Sequence, residues 1–423
     1  MCDVYKKEKE VNLSMSLTKK RWWILFASCL INLCVGSIYA WSVFALGMSE
    51  HFSLLYGREI SVADLAIVYT VATSIGPVTM ISGGWFNDKF GPKKLVLVGG
   101  IMFGLGMFLS GFATSIFSLL LSYGILAGLG LGMVYGTTIS TAVKFFPDKK
   151  GMAGGIITAF YGLSSVILPP IITILIEKYN ITFTFKLVGI IFLVVVSIAS
   201  FFLETCPADF VPEGYVASVT NGTNVESKDW KQMLASKEFY FMITLLMLGA
   251  FAGMMVISQA SGIARNLVGM DKMMAATAVS VLALFNVCGR VLAGSISDKL
   301  GRINTLRIAS VIAIIGLFIL HTAGEGTVLL FYFGVALVGI CFGSYMAIFP
   351  GFTAEAFGPK NNSVNYGIMF VGLALAAYFG PSVMKMVYTS TNNYDVAFII
   401  AIVLNVFAIV LGFLLKIMTG KKK

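Results

Sequence analysis

Apolar runs long enough to cross a bilayer follow one another along most of this chain, and short polar stretches close each one. About 20 helical residues at a rise of ~1.5 Å span a hydrocarbon core. Runs of roughly that length cover residues 22–46, 62–86, 95–113, 118–143, 152–176, 183–203, 239–263, 275–296, 305–322, 327–351, 364–389 and 394–417. They predict twelve transmembrane helices and an all-α polytopic membrane protein. One polar stretch is long, Glu204–Glu238, and it divides the runs six and six. Its last part carries Trp230, Met233 and Leu234 at helical spacing, which predicts an interfacial helix leading into the seventh run. The expected organisation is a tail over 1–21, a six-helix bundle over 22–203, a central loop over 204–238, a second bundle over 239–417 and a basic tail over 418–423.

The two bundles repeat. Gly84-Trp-Phe-Asn-Asp88-Lys89-Phe-Gly91 recurs as Gly294-Ser-Ile-Ser-Asp298-Lys299-Leu-Gly301, 210 residues on. The same offset relates Tyr135 to Tyr345 and Gly162 to Gly372, and Pro170 matches Pro381 within one residue. Two six-helix halves in the same orientation are the architecture of the major facilitator fold, with substrate bound between the halves near midplane.

Composition agrees with this pattern. Of 423 residues, 58% are hydrophobic and 12% charged, about half the charge content of a soluble domain. The net charge of +10 raises nucleic acid as a partner, but the distribution of the charges excludes it. With the N-terminus placed inside, 23 of the 30 Lys and Arg residues fall on the cytoplasmic side and six outside. That bias places both termini in the cytoplasm. The run from Trp22 to Leu46 is too long for a signal-peptide core, and no small-residue cleavage site follows, so an uncleaved first span is expected. The plasma membrane is the expected location. The six cysteines lack metal-ligand spacing and read as small packing residues. Asn221-Gly222-Thr223 matches a glycosylation sequon by chance on a cytoplasmic loop.

Arg290 is the thirtieth cation, and it lies within the eighth run. A guanidinium at membrane depth costs at least about 2.5–3.5 kcal/mol on insertion scales, so a functional reading is the default. Asn286 precedes it by one turn, on the same helix face. Neither Asp nor Glu occurs at comparable depth in any run, which leaves a ligand as the partner for Arg290. The planar fork of arginine holds a carboxylate bidentately.

The stretches Gly84–Lys94 and Gly294–Arg302 resemble the signature of the major facilitator superfamily. In that reading Asp88, Lys89, Asp298, Lys299 and Arg302 form a latch across the cytoplasmic gate. Phe145-Phe146-Pro147-Asp148-Lys149-Lys150-Gly151 is similar to the loop between spans four and five of the oxalate/formate antiporter family. Ile348-Phe349-Pro350, Ala356-Phe357-Gly358 and Asn365-Tyr366-Gly367 extend that resemblance along the chain. The related monocarboxylate transporters share the arginine of span eight. The resemblance implies transport of small carboxylates with Arg290 as their partner. Tyr39, Tyr135 and Tyr161 match substrate-facing tyrosines of the antiporter family, and Trp41 and Phe370 are further candidates for the pocket wall.

Two departures sharpen the expectation. Oxalate-handling members carry a Lys where this chain has Leu373, so one central cation favours a monoanion over a dicarboxylate. Proton-coupled animal monocarboxylate transporters carry an Asp where this chain has Asn286, which does not titrate. His321 and Asp64 lie near span ends and do not read as relays, so exchange and proton symport both stay open. The expected protein is a monomeric transporter of lactate-, pyruvate- or formate-like anions, with neither cofactor nor metal. The competing readings are a dicarboxylate exchanger and a carboxylate sensor on the same fold. An enzyme would need a nucleophile, metal cluster or paired carboxylates at depth, and the runs supply none.

Overall fold

The structure is a computed structural model, and it describes residues 2–207, 210–215 and 227–420. The sequon at Asn221 and the last three lysines lie outside the described residues. Among the described residues twelve helices are long and apolar enough to span a membrane. They are α1 (Leu17–Tyr56), α2 (Ala66–Phe90), α3 (Pro92–Ser110), α4 (Ile116–Phe145), α5 (Lys150–Lys178) and α6 (Ile181–Ser200), followed by α7 (Lys237–Val268), α8 (Met273–Leu300), α9 (Arg302–Thr322), α10 (Val328–Phe357), α11 (Asn362–Thr391) and α12 (Asp395–Thr419). No strand occurs among these residues.

The helices sort their apolar side chains by depth rather than by polarity. On α6, Val188, Phe192 and Val196 are buried, while Ile190, Val194 and Ile198 on the other face are exposed. A helix that is apolar all round belongs in lipid.

The repeated signature has a backbone reason. Gly91 and Gly301 end α2 and α8 with φ of 84° and ψ of 162° and 151°. This region is open in practice only to glycine, and it turns the chain sharply into the next helix. Gly358 makes the same turn after α10.

Three local features differ from the sequence expectation. The first span runs ten residues beyond 46, to Tyr56, and a 3-10 turn over Gly36–Ala40 interrupts it. Gly36 packs so closely on α5 that a Cβ there would collide with the Tyr161 carbonyl and Ser164. α4 widens into a π-helical stretch over Leu120–Ala127. The lead-in to α7 is two pieces: Asp229 caps a short helix over Trp230–Leu234, and α7 restarts at Lys237.

The helices pack as α3 on α4 and α6, and α2 on α4, in the first half; α8 on α10, α9 on α10 and α12, and α7 on α11 in the second. The halves meet along two seams. One sets α5 against α8 and α10; the other sets α2 against the first turns of α11. Among the described residues, the start of α1, the end of α12 and the starts of α5 and α11 lie at one end of the molecule. This is the lysine-rich end.

Candidate functional site

Arg290 is 1% exposed, the largest side chain among the fully buried ones. Glycines on both neighbours of α8 make room for its backbone. A Cβ at Gly155 of α5 would meet the Arg290 carbonyl, and one at Gly343 of α10 would meet the Asn286 carbonyl and the Arg290 amide. The guanidinium is then held by neutral groups, the Tyr135 hydroxyl among them. Nε donates to Asn286 Oδ1 at 3.0 Å, and Nη1 donates to the Thr158 carbonyl of α5 at 2.6 Å. Among the described residues no carboxylate lies within ion-pairing distance of it.

The free side of the fork faces a cavity of about 440 Å³ between the halves. Tyr39, Tyr135, Tyr161, Phe370 and Arg290 all line it, as does Leu373. The rings form a continuous edge. Tyr39 meets Tyr161 at 5.1 Å between centroids, Tyr161 meets Tyr135 at 4.6 Å, and Tyr135 meets Phe370 across the seam at 5.8 Å. The 3-10 turn in α1 places Tyr39 here, 41% exposed. Arg290 and Tyr366 are polar neighbours of the Tyr135 hydroxyl.

Two residues stand elsewhere. Asn286 does not line the cavity; it sits behind Arg290, with its carbonyl oxygen committed to Nε. Trp41 is buried against Tyr69 and Tyr123 and does not reach the cavity surface. Tyr69, Thr73 and Ser258 do line it, and no motif marks them in the sequence. Their signal is position alone, on the faces of α2 and α7 that open onto the seam.

The five residues expected to form a latch cluster at the lysine-rich end, and Asp298 and Asp88 each stand at one of the two seams. Asp298, at the end of α8, accepts the backbone N–H groups of Gly151 at 2.8 Å and Met152 at 2.9 Å. These are free donors in the first turn of α5, where a carboxylate is stabilised. Arg302 pairs with Asp298 at 2.7 Å and with Glu355 of α10 at 2.6 Å. In the other seam, Asp88 pairs with Lys144 at 2.9 Å, and Lys144 also donates to the Lys360 carbonyl. Asn87 donates to Ser363 at 2.7 Å, and Ser363 to Ser140 at 2.9 Å. Lys89 lies over the Trp85 and Phe90 rings, and Lys299 is exposed; neither takes part in these contacts. The lysine-rich end is therefore closed, and the cavity lies beyond the latch, toward the opposite end.

Residues 22–371 match the profile of the Major Facilitator Superfamily. An uncharacterized MFS-type transporter of Escherichia coli, YhjX, is 28% identical over 359 residues, covering 85% of this chain and 86% of that protein. The oxalate:formate antiporter of Oxalobacter formigenes is 26% identical over 94% of this chain and 92% of its own length. Monocarboxylate transporter 12 of Xenopus laevis is 22% identical over 95% of this chain and 90% of its own. Among solved structures, a double-Trp mutant of XylE aligns with a TM-score of 0.75 at 16% identity, over 93% of this chain and 95% of that one. At that identity the likeness concerns the fold.

Proposed function

The chain belongs to the Major Facilitator Superfamily, a family of membrane transporters rather than enzymes, and from that footing we propose that it moves small monocarboxylates by alternating access, with the carboxylate bound at Arg290. The observation that carries this reading is a buried guanidinium on the lining of a cavity between the halves, whose protein partners (Asn286 Oδ1, the Thr158 carbonyl and the Tyr135 hydroxyl) are all neutral. A carboxylate supplies the missing charge and fits the fork. Its arrival neutralises the site and lowers the cost of closing the cavity around it. Tyr39, Tyr135, Tyr161 and Phe370 give the anion apolar walls and phenol donors. Asn286 acts as a positioning residue for Arg290, not as a direct ligand.

Asp88 and Asp298 act in this proposal as the latch of the closed lysine-rich end, which faces the cytoplasm. Substrate binding draws the outer halves together, and the latch contacts then part. The relative that exchanges oxalate for formate supports a second reading, a dicarboxylate exchanger. Leu373 on the cavity wall weighs against it, because the second carboxylate would be buried without a partner.

Counterflow in proteoliposomes tests the proposal. Labelled lactate outside is exchanged against formate, lactate, pyruvate or oxalate inside, with and without a pH gradient. Saturable uptake that Arg290→Ala abolishes in a folded protein is the expected result. Normal uptake by that variant would sink the assignment of the site.

A further inference from the structure

The cavity is larger and more apolar than a two- or three-carbon acid requires. We propose that its preferred substrates are monocarboxylates with a branched or aromatic tail, so that Arg290 holds the carboxylate while the tail fills a slot between two apolar walls. This inference rests on the carboxylate reading above and narrows it.

The slot has different walls on its two sides. The first half supplies the aromatic edge from Tyr39 through Tyr161 to Tyr135, with Tyr69 beside it. The second half supplies Met254 and Ile257 of α7, Phe342 and Met346 of α10, and Leu373 of α11. Thioether and aliphatic side chains on one face, opposite ring edges on the other, form a site for a flat or branched hydrocarbon group. Away from Arg290, Thr73, Ser258 and the tyrosine hydroxyls are the polar side chains on the lining. A second charged group on the ligand would find no partner among them.

Size points the same way. A cavity of 440 Å³ falls within the range of about 300–1,000 Å³ that holds ligands of many heavy atoms. Formate or lactate at Arg290 would leave most of the apolar wall wet and gain nothing from it. A phenyl or isobutyl tail that covers this wall adds on the order of tenfold to hundredfold in affinity. The sequence also keeps space open at the wall. Gly76 of α2 is buried and lines the cavity, yet no heavy atom lies within 4 Å of where its Cβ would stand. A side chain added there enters the slot without displacing protein.

Competition against labelled lactate in proteoliposomes decides the matter, with acetate, 3-methylbutanoate, phenylacetate and the neutral phenylacetamide as competitors. We expect 3-methylbutanoate and phenylacetate to compete at least about tenfold better than acetate, and phenylacetamide to fail. In Gly76→Leu the ratio of competition by the bulky acids to competition by acetate falls toward one, whatever the variant does to lactate uptake itself. Ala377→Leu, which fills the slot from the second half, serves as the independent variant. Acetate competing as well as the bulky acids, or bulky acids unaffected by both variants, overturns the inference and leaves the carboxylate reading standing. Equal competition by phenylacetamide, or uptake indifferent to Arg290→Ala, overturns both.

Discussion

Asp298 and Gly151 join the two halves of the protein by a hydrogen bond of 2.8 Å from the Gly151 amide to the Asp298 carboxylate. The bond crosses from the end of α8 to the first turn of α5, and the Met152 amide adds a second. Asp298 thus acts as a cap supplied by another helix, with Arg302 at its back. The same seam that carries this bond holds Arg290 deeper in, through the Thr158 carbonyl. Closure of the lysine-rich end and the geometry of the cavity cation therefore share one interface, α5 against α8.

Loss of this cap should loosen the closed end. Hydrogen bonds to charged groups contribute about 1.5–3 kcal/mol net, so Asp298→Ala should shift the balance between closed and open ends by about tenfold or more. A cysteine at Ser363, buried in the other seam, reports the shift. Its alkylation by a permeant maleimide is expected to speed up about tenfold in the Asp298→Ala background. An unchanged rate would show that the cap does not hold the end closed.

Asn286 offers a second test, because its oxygen serves Arg290 rather than the ligand. In Asn286→Ala, Nε is left buried without an acceptor and the guanidinium is free to turn. The half-saturation concentration for lactate should rise on the order of tenfold, with a smaller change in maximal rate. Asn286→Asp should behave differently. The new carboxylate pairs with Arg290 and competes with the substrate, so uptake relative to wild type is low at neutral pH. The loss persists as the medium is mildly acidified, because Arg290 favours the ionised carboxyl. Uptake equal to wild type at neutral pH would place position 286 away from the charge on Arg290.

Much of this arrangement is visible in the chain itself, and the reason is physical. Lipid forces every span to be apolar and about 20 residues long, so the twelve helices stand out against their polar breaks. Arg290 is conspicuous because charge at depth is costly. Gly91 and Gly301 show as a repeat because their backbone conformation admits only glycine. What the chain conceals depends on tertiary approach. The turn at Gly36–Ala40 follows from contact with α5, which no local propensity encodes. Trp41 and Tyr39 are two residues apart, yet that turn sends only Tyr39 to the cavity. Glu355 carries no motif and becomes the partner of Arg302 only when α8, α9 and α10 pack.

The start of the central loop is fixed more firmly than a polar stretch implies. Cys206 is partly buried, and its thiol donates to the Lys144 carbonyl at 3.4 Å. Burial pushes the thiol up to about 12, with the nearby Lys144 charge opposing. At pH 7.5 the thiolate fraction is then less than ~1 part in 1,000, and the thiolate is the reactive form. Cys206 should resist maleimide in the folded protein and react fully after denaturation, as read by peptide mass spectrometry. Rapid labelling of the folded protein would mean that this part of the loop is open to water.

Arg21 and Asp148 form a well-enclosed ion pair in the first half. Two N–H donors of Arg21 reach the two carboxylate oxygens at 2.6 and 3.1 Å, and the guanidinium lies over the Phe146 ring at 4.6 Å. The side chains are 8% and 14% exposed, so solvent screens the pair only weakly. It ties the start of α1 to the loop between α4 and α5, next to the α5 turn that Asp298 caps. Removing one partner strands the other charge, a loss of about 3–5 kcal/mol where burial is complete and less at this partly wet edge. Arg21→Ala and Asp148→Ala should each lower the Tm in detergent by several degrees. The double variant should lose less than the sum of the two, with a coupling of about 0.5–3 kcal/mol. Additive losses would show that the two residues act independently and that the pair contributes nothing to holding the loop.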